Sequence, residues 1–195
     1  MNDNRRPTLA TTLWPQQAAS RTARFAALAI GGALALAISA KAQVPFYPVP
    51  MTLQTLVVLI IGAAFGARLA LATVALYLIE GLLGLQVFAG LGAGPAYMAG
   101  PTGGFLAGFL IAAGLVGWLA ERGWNANRVV MAFLAMLIGN ALCLVLGGAW
   151  LAVMIGTGPA ITAGVTPFIL GGVLKSVLGA ASLKALDLGT AKPAA

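Results

Sequence analysis

FILGGVLKSVLGAASLKAL, residues Phe168–Leu186, is long and apolar enough to span a bilayer, yet it carries Lys175 near its middle. A Lys near the centre of a membrane helix costs roughly 2.5–3.5 kcal/mol on insertion scales, so such residues face a bundle interior, a cavity or a partner. The bland alternative is a Lys that snorkels its ammonium back to the interface. The rest of the chain weighs on the choice, because only 8% of its residues are charged while 61% are hydrophobic. Besides residues at span ends, Glu80 is the one opposite charge inside an apolar run. The two could pair with each other or hold the two ends of one ligand.

Working outward from that stretch, the composition of the 195 residues is that of an integral membrane protein. The 26 glycines suit helices whose backbones approach closely. We read an all-α membrane protein of six spans: Arg24–Ala40, Leu53–Gly66, Leu69–Leu85, Gly104–Ala120, Val129–Val153 and Phe168–Leu186. The second is short for a span, which needs about 17–25 residues. Residues 1–23 read as a polar N-terminal tail with Pro7 and Pro15, 24–186 as the substrate-binding bundle, and 187–195 as a C-terminal tail.

Charge sets the orientation. Arg5, Arg6, Arg21 and Arg24 precede the first span, Arg68 sits between the second and third, and Arg122 and Arg128 sit between the fourth and fifth. Lys184 and Lys192 close the chain, while the alternate loops carry only Lys41. The positive-inside rule then makes both termini cytoplasmic. It leaves three outer loops, Lys41–Thr52, Gln86–Gly103 and Met154–Pro167. The net charge of +7 therefore reflects membrane orientation and not a nucleic-acid-binding face. Arg21 and Arg24 before an apolar run, then Ala40-Lys41-Ala42, mimic a signal peptide. We expect the run to be retained, because small residues recur in it at every fourth position. Ala29, Ala33 and Ala37 form one row, and Ala27, Gly31 and Ala35 another. Such rows pack against other helices, either within the bundle or on a separate subunit.

Soluble-enzyme chemistry finds little support. There is no His, and the lone Cys143 can build neither a disulfide nor a metal cluster and reads as a small core hydrophobe. Gly171-Gly172-Val173-Leu174-Lys175-Ser176 faintly resembles a phosphate-binding loop but lacks Gly directly before the Lys. Gly90-Leu91-Gly92-Ala93-Gly94 lacks dinucleotide-fingerprint spacing. The polar residues that remain are few. Thr52, Gln54 and Thr55 follow a proline-stiffened loop with Phe46, Tyr47 and Met51, a segment that reads as a lid. Thr102 sits in the glycine loop, and Asn140 lies mid-span, where bonding across helices is the ordinary use of an Asn.

Four segments in this order, Val44–Leu56 (VPFYPVPMTLQTL), Leu76–Gly90 (LYLIEGLLGLQVFAG), Gly100–Phe109 (GPTGGFLAGF) and Pro167–Lys175 (PFILGGVLK), resemble the BioY family. These are substrate-capture (S) components of energy-coupling-factor (ECF) biotin transporters. The resemblance implies the six-helix S-component fold, biotin bound near the outer surface, and partnership with a membrane coupling subunit and a pair of cytoplasmic ATPases. It implies no enzyme activity, no cofactor, and residence in a bacterial inner membrane. The ligand-binding candidates are Lys175, Glu80, Thr52, Gln54, Tyr77, Phe88, Gly92, Thr102, Gly104 and Asn140. Ala29, Ala33 and Ala37 are the partner-docking candidates, with Ala27, Gly31 and Ala35 as the fallback row. One departure stands out. Where many members read Pro-Gly-Asp-x-x-Lys, this chain has Leu170-Gly171-Gly172-Val173-Leu174-Lys175, so the acidic partner of the Lys is missing and Glu80 is the one substitute within the outer half. The competing function is a self-sufficient secondary carrier for a small carboxylated vitamin, with Glu80 relaying a proton.

Overall fold

The computed structural model describes residues 20–190 and is mostly helical. The chain runs α1 (Arg21–Lys41), β1 (Gln43–Val44), β2 (Met51–Thr52), α2 (Gln54–Phe65), α3 (Ala67–Leu82), α4 (Gly94–Met98), α5 (Gly103–Glu121), α6 (Val129–Ile155), α7 (Thr157–Pro159), a π-helical turn (Ala160–Val165) and α8 (Thr166–Thr190). Most of the expected N-terminal tail and the last residues of the C-terminal one lie outside the described residues.

Among the described residues, four helical stretches are long and apolar enough to cross a membrane: Thr22–Lys41, Gly103–Glu121, Val129–Ile155 and Thr157–Asp187. The other two expected spans are shorter, at 12 residues for α2 and 16 for α3. They meet at a sharp corner at Gly66, whose φ of 77° suits glycine. There the first N–H of α3 donates to Glu121 Oε1 at 2.9 Å, so a carboxylate caps the helix across the bundle.

At the centre is α5, packed by α2, α3 and α6; α1 lies against α3, and α8 against α6 and α2. The core is mainly aliphatic, with Leu36, Val58, Leu59, Val74, Val116 and Met136 fully buried alongside the rings of Tyr77 and Phe88. Ile30, Leu34, Ile38, Val145, Leu174 and Leu178 face outward, the apolar exterior a bilayer requires. Among the described residues, every buried side-chain nitrogen or oxygen has a hydrogen-bond partner.

The third expected outer loop, Met154–Pro167, is not a loop. After Gly156 the chain turns straight back into helix, and the last helical rod begins at Thr157 rather than Phe168. Ala160 and Gly164 bury themselves against α6, and Leu151 occupies the space that a side chain at Gly164 would need. Pro167 has no N–H and would crowd a regular α-turn. The wider π-turn just before it, closed by Thr166 N–H to the Ile161 carbonyl, lets the rod continue.

The small-residue rows of α1 are also sorted. Ala33 has no exposed surface, Ala29 is buried and Ala37 half-buried, so this row packs inside the bundle. The row left on the outside is Ala27, Gly31 and Ala35, and a side chain at Gly31 would meet nothing within 4 Å.

Candidate functional site

The first of the expected outer loops folds as a small antiparallel hairpin, Gln43 opposite Thr52 and Val44 opposite Met51. Its proline-rich tip carries Tyr47 out into solvent, while Val49 turns inward and is buried. Beneath the hairpin lies a cavity of about 630 Å³, counting its open mouth.

Polar side chains gather on one side of it. Lys175 is 9% exposed and donates from Nζ to the Thr52 carbonyl at 2.6 Å. An ammonium has three donors, and that is the one hydrogen bond Nζ makes among the described residues. Thr52 Oγ1 donates to Gln54 Oε1 at 3.1 Å, and Gln54 Nε2 donates to the Tyr77 hydroxyl at 2.5 Å. The Tyr77 hydroxyl in turn donates to the Val87 carbonyl at 3.1 Å. One chain of bonds thus joins α8, the hairpin, α2, α3 and the loop that follows α3. Asn140 Nδ2 donates to the Gly172 carbonyl at 3.1 Å and to Ser176 Oγ at 2.8 Å, tying α6 to α8 beside the same space.

The other walls are aromatic and aliphatic. Phe88, fully buried, stacks on Tyr97 with ring centroids 5.1 Å apart and meets Tyr77 edge-on at 5.4 Å. Phe168 lies between Phe105, at 6.1 Å, and Phe46 of the hairpin, at 6.3 Å. Phe109, Leu106, Cys143 and Leu144 complete the lining with Thr55, Thr102 and Ala89. Burial holds the Tyr97 phenol above its usual pKa range, against a side-chain hydrogen bond with Thr102, so it stays neutral. Among the described residues, no carboxylate lines the cavity. Its chemistry is one cation, a few neutral donors and acceptors, and stacked rings: a place for a compact ligand with a polar ring, an apolar body and one negative charge.

Of the residues singled out from sequence, Lys175, Thr52, Gln54, Thr102, Asn140 and Phe88 meet at this cavity. Tyr77 stands one layer behind, holding Gln54. Glu80 does not line the cavity, and no salt bridge joins it to Lys175 among the described residues. It therefore does not replace the missing acid at Gly172. Gly92 and Gly104 do not line it either. Gly92 leaves room for the Tyr97 ring, and Gly104 lets α5 close on Trp150 and the Leu146 carbonyl of α6. Sequence reasoning missed Tyr97, Phe105, Phe109 and Phe168. Phe105 and Phe109 did carry a signal, since residues four apart share a helix face.

Residues 11–191 match the model of the BioY family. The chain is 35% identical over 117 residues to biotin transporter BioY2 of Lactococcus lactis, covering 60% of this chain and 63% of that protein. It is 41% identical over 111 residues to biotin transporter BioY of Rhodobacter capsulatus, covering 53% and 55%. To the Thermotoga maritima BioY it is 38% identical over 87 residues, covering 45% and 52%. The alignments thus span between half and two thirds of these relatives' lengths. Among solved structures, the S-component for biotin from an ECF-type ABC transporter superposes with a TM-score of 0.73 at 22% identity, over 88% of this chain and 95% of that one. The two share a fold.

Proposed function

Because the chain belongs to the BioY family, we propose that it captures biotin at the outer face of a bacterial inner membrane and delivers it inward. In this reading it is the S component of an ECF transporter, with no reaction chemistry of its own. Six helices cross the membrane, α2 and α3 as a short pair inside the bundle, with both termini cytoplasmic. A membrane coupling subunit and cytoplasmic ATPases supply the energy. The relatives named as biotin transporters support the substrate, and the S-component likeness in fold supports the mode of transport.

The observation that carries the reading is Lys175, a nearly buried ammonium with unused donors in a cavity without a carboxylate. A ligand that brings its own negative charge offsets the cost of that cation. Biotin does so with its carboxylate, while its ureido ring suits Asn140, Gln54 and Thr52. The thiophane ring and aliphatic chain suit the Phe88, Phe105 and Phe168 walls. Docking on the coupling subunit uses the exposed row Ala27, Gly31 and Ala35 in place of Ala29, Ala33 and Ala37, which the bundle itself covers.

Calorimetry of biotin on the purified chain tests the reading, with saturable one-to-one binding as the expected result. The alternative of a self-sufficient carrier with Glu80 relaying a proton is disfavoured, because Glu80 lies off the cavity. Biotin accumulation in proteoliposomes holding this chain alone, without ATP, would establish the carrier instead.

A further inference from the structure

Lys41, the last residue of α1, is exposed, so nothing in its surroundings forces it to seek protein partners. Its ammonium nevertheless donates to three carbonyls of one loop: Gln86 at 2.6 Å, Gly90 at 2.7 Å and Phe88 at 2.9 Å. Every donor of the group is used. The three acceptors are alternate residues of a turn closed by Phe88 N–H to the Gly92 carbonyl at 3.2 Å. This turn carries the Phe88 ring into the stack with Tyr97 and sets Ala89 in the cavity wall. On the other side, Lys41 runs directly into the hairpin that covers the cavity, pinned by Leu53 N–H to the Ala42 carbonyl at 3.0 Å. One cation therefore clasps two separate walls of the cavity mouth together.

We propose that Lys41 is a positioning residue for ligand retention: it holds the Gln86–Gly90 turn against the end of α1, and through Phe88 it keeps the mouth closed on a bound ligand. The inference rests on biotin being that ligand. Charge-assisted hydrogen bonds to three carbonyls hold a turn better than neutral ones. Loss of the clasp loosens the turn without removing any group that touches the ligand, so the effect falls on release rather than on recognition.

The test measures release of radiolabelled biotin from the purified chain and from Lys41→Met and Lys41→Arg, with amide hydrogen exchange of residues 86–92 in the unliganded proteins. Lys41→Met keeps the aliphatic stem and removes the donors. Its expected release is about tenfold faster, the equivalent of roughly one hydrogen bond to a charged group. Exchange at residues 86–92 should rise while the melting temperature holds. Lys41→Arg, which keeps donors at that place, should fall within about twofold of wild type. A folded Lys41→Met with unchanged release and exchange overturns the proposal. Failure of Lys41→Met and Lys41→Gln alike to fold also overturns it, because the clasp then belongs to the fold itself. Wild-type protein that binds no biotin instead refutes the functional reading, an outcome separate from either.

Discussion

Two lysines serve the cavity end of this bundle, and they are opposites. Lys41 is exposed and has all its donors taken up by loop carbonyls. Lys175 is nearly buried and makes one hydrogen bond, to the Thr52 carbonyl. Solvation alone predicts the reverse, since a buried ammonium should be the one with its partners complete. The difference separates a cation that organises the walls from one left with capacity for something not part of the chain. Burial by itself would have ranked them wrongly; the count of unused donors tells them apart.

The largest effect expected on biotin binding comes from removing the cation with spare donors. Lys175→Ala should weaken affinity by roughly 1.5–3 kcal/mol, the scale of a hydrogen bond to a charged group, or about 10- to 150-fold. Calorimetry on the folded variant reads it directly. An unchanged affinity would make Lys175 a residue that merely secures the hairpin through the Thr52 carbonyl.

The next largest effect is expected at the turn that Lys41 holds. A side chain at Gly92 would run into the Tyr97 ring, which stacks on Phe88. Overpacking of this kind costs about 1–3 kcal/mol. Gly92→Val should therefore lower biotin affinity by roughly tenfold through displaced rings rather than a blocked ligand. Gly104→Val should act on the α5–α6 contact instead, lowering the melting temperature more than the affinity. Equal affinity losses in both variants, with no change in melting temperature, would return the glycines to direct ligand contact.

How much of this was legible beforehand follows the same division. Lys175 stood out because a charge inside an apolar span is rare and costly, and Thr52, Gln54 and Thr102 because they are polar residues beside apolar spans. The family motifs located the hairpin and the glycine loop. Lys41 went unnoticed as a clasp because its partners are backbone carbonyls, which every residue has; no residue type marks them. The rows of α1 could not be ranked for a related reason. Two stripes of small residues one helix face apart look alike in sequence, and packing with Leu36 turned one of them inward. Met154–Pro167 read as a loop because Gly156, Gly158, Pro159 and Pro167 are turn residues; a π-turn that absorbs a proline leaves no periodic signature.

A smaller effect should follow from converting Lys175 towards the condition of Lys41. A Cβ at Gly172 would sit 3.6 Å from Asn140, ordinary contact, and an Asp placed there, three residues before Lys175 on the same helix face, should offer it an internal carboxylate. Wild-type protein should prefer biotin to its carboxamide by about tenfold, the difference between charged and neutral hydrogen-bond partners. In Gly172→Asp that preference should shrink to roughly twofold, as the added acid takes the place of the ligand's. A preference that survives the substitution would move Lys175 from the carboxylate of biotin to its ureido oxygen.

The smallest effect on binding is expected far from both lysines, on the outer row of α1. Gly31 faces open space, so Gly31→Trp adds a ring without disturbing the bundle. Biotin affinity of the isolated chain should stay within about twofold of wild type, since surface substitutions away from packed features are usually close to neutral. Co-purification with the coupling subunit and ATP-driven uptake should be lost together, because the ring keeps two helices from close approach. Ala33→Trp provides the contrast. It forces the same ring into a position with no exposed surface, so it should lower the yield of folded protein and take biotin binding with it. If Gly31→Trp loses biotin binding yet still co-purifies, the outer row is not the docking face. If Ala33→Trp binds biotin normally and fails only in co-purification, the inward row is the docking face after all, and α1 must turn about its axis when the partner arrives.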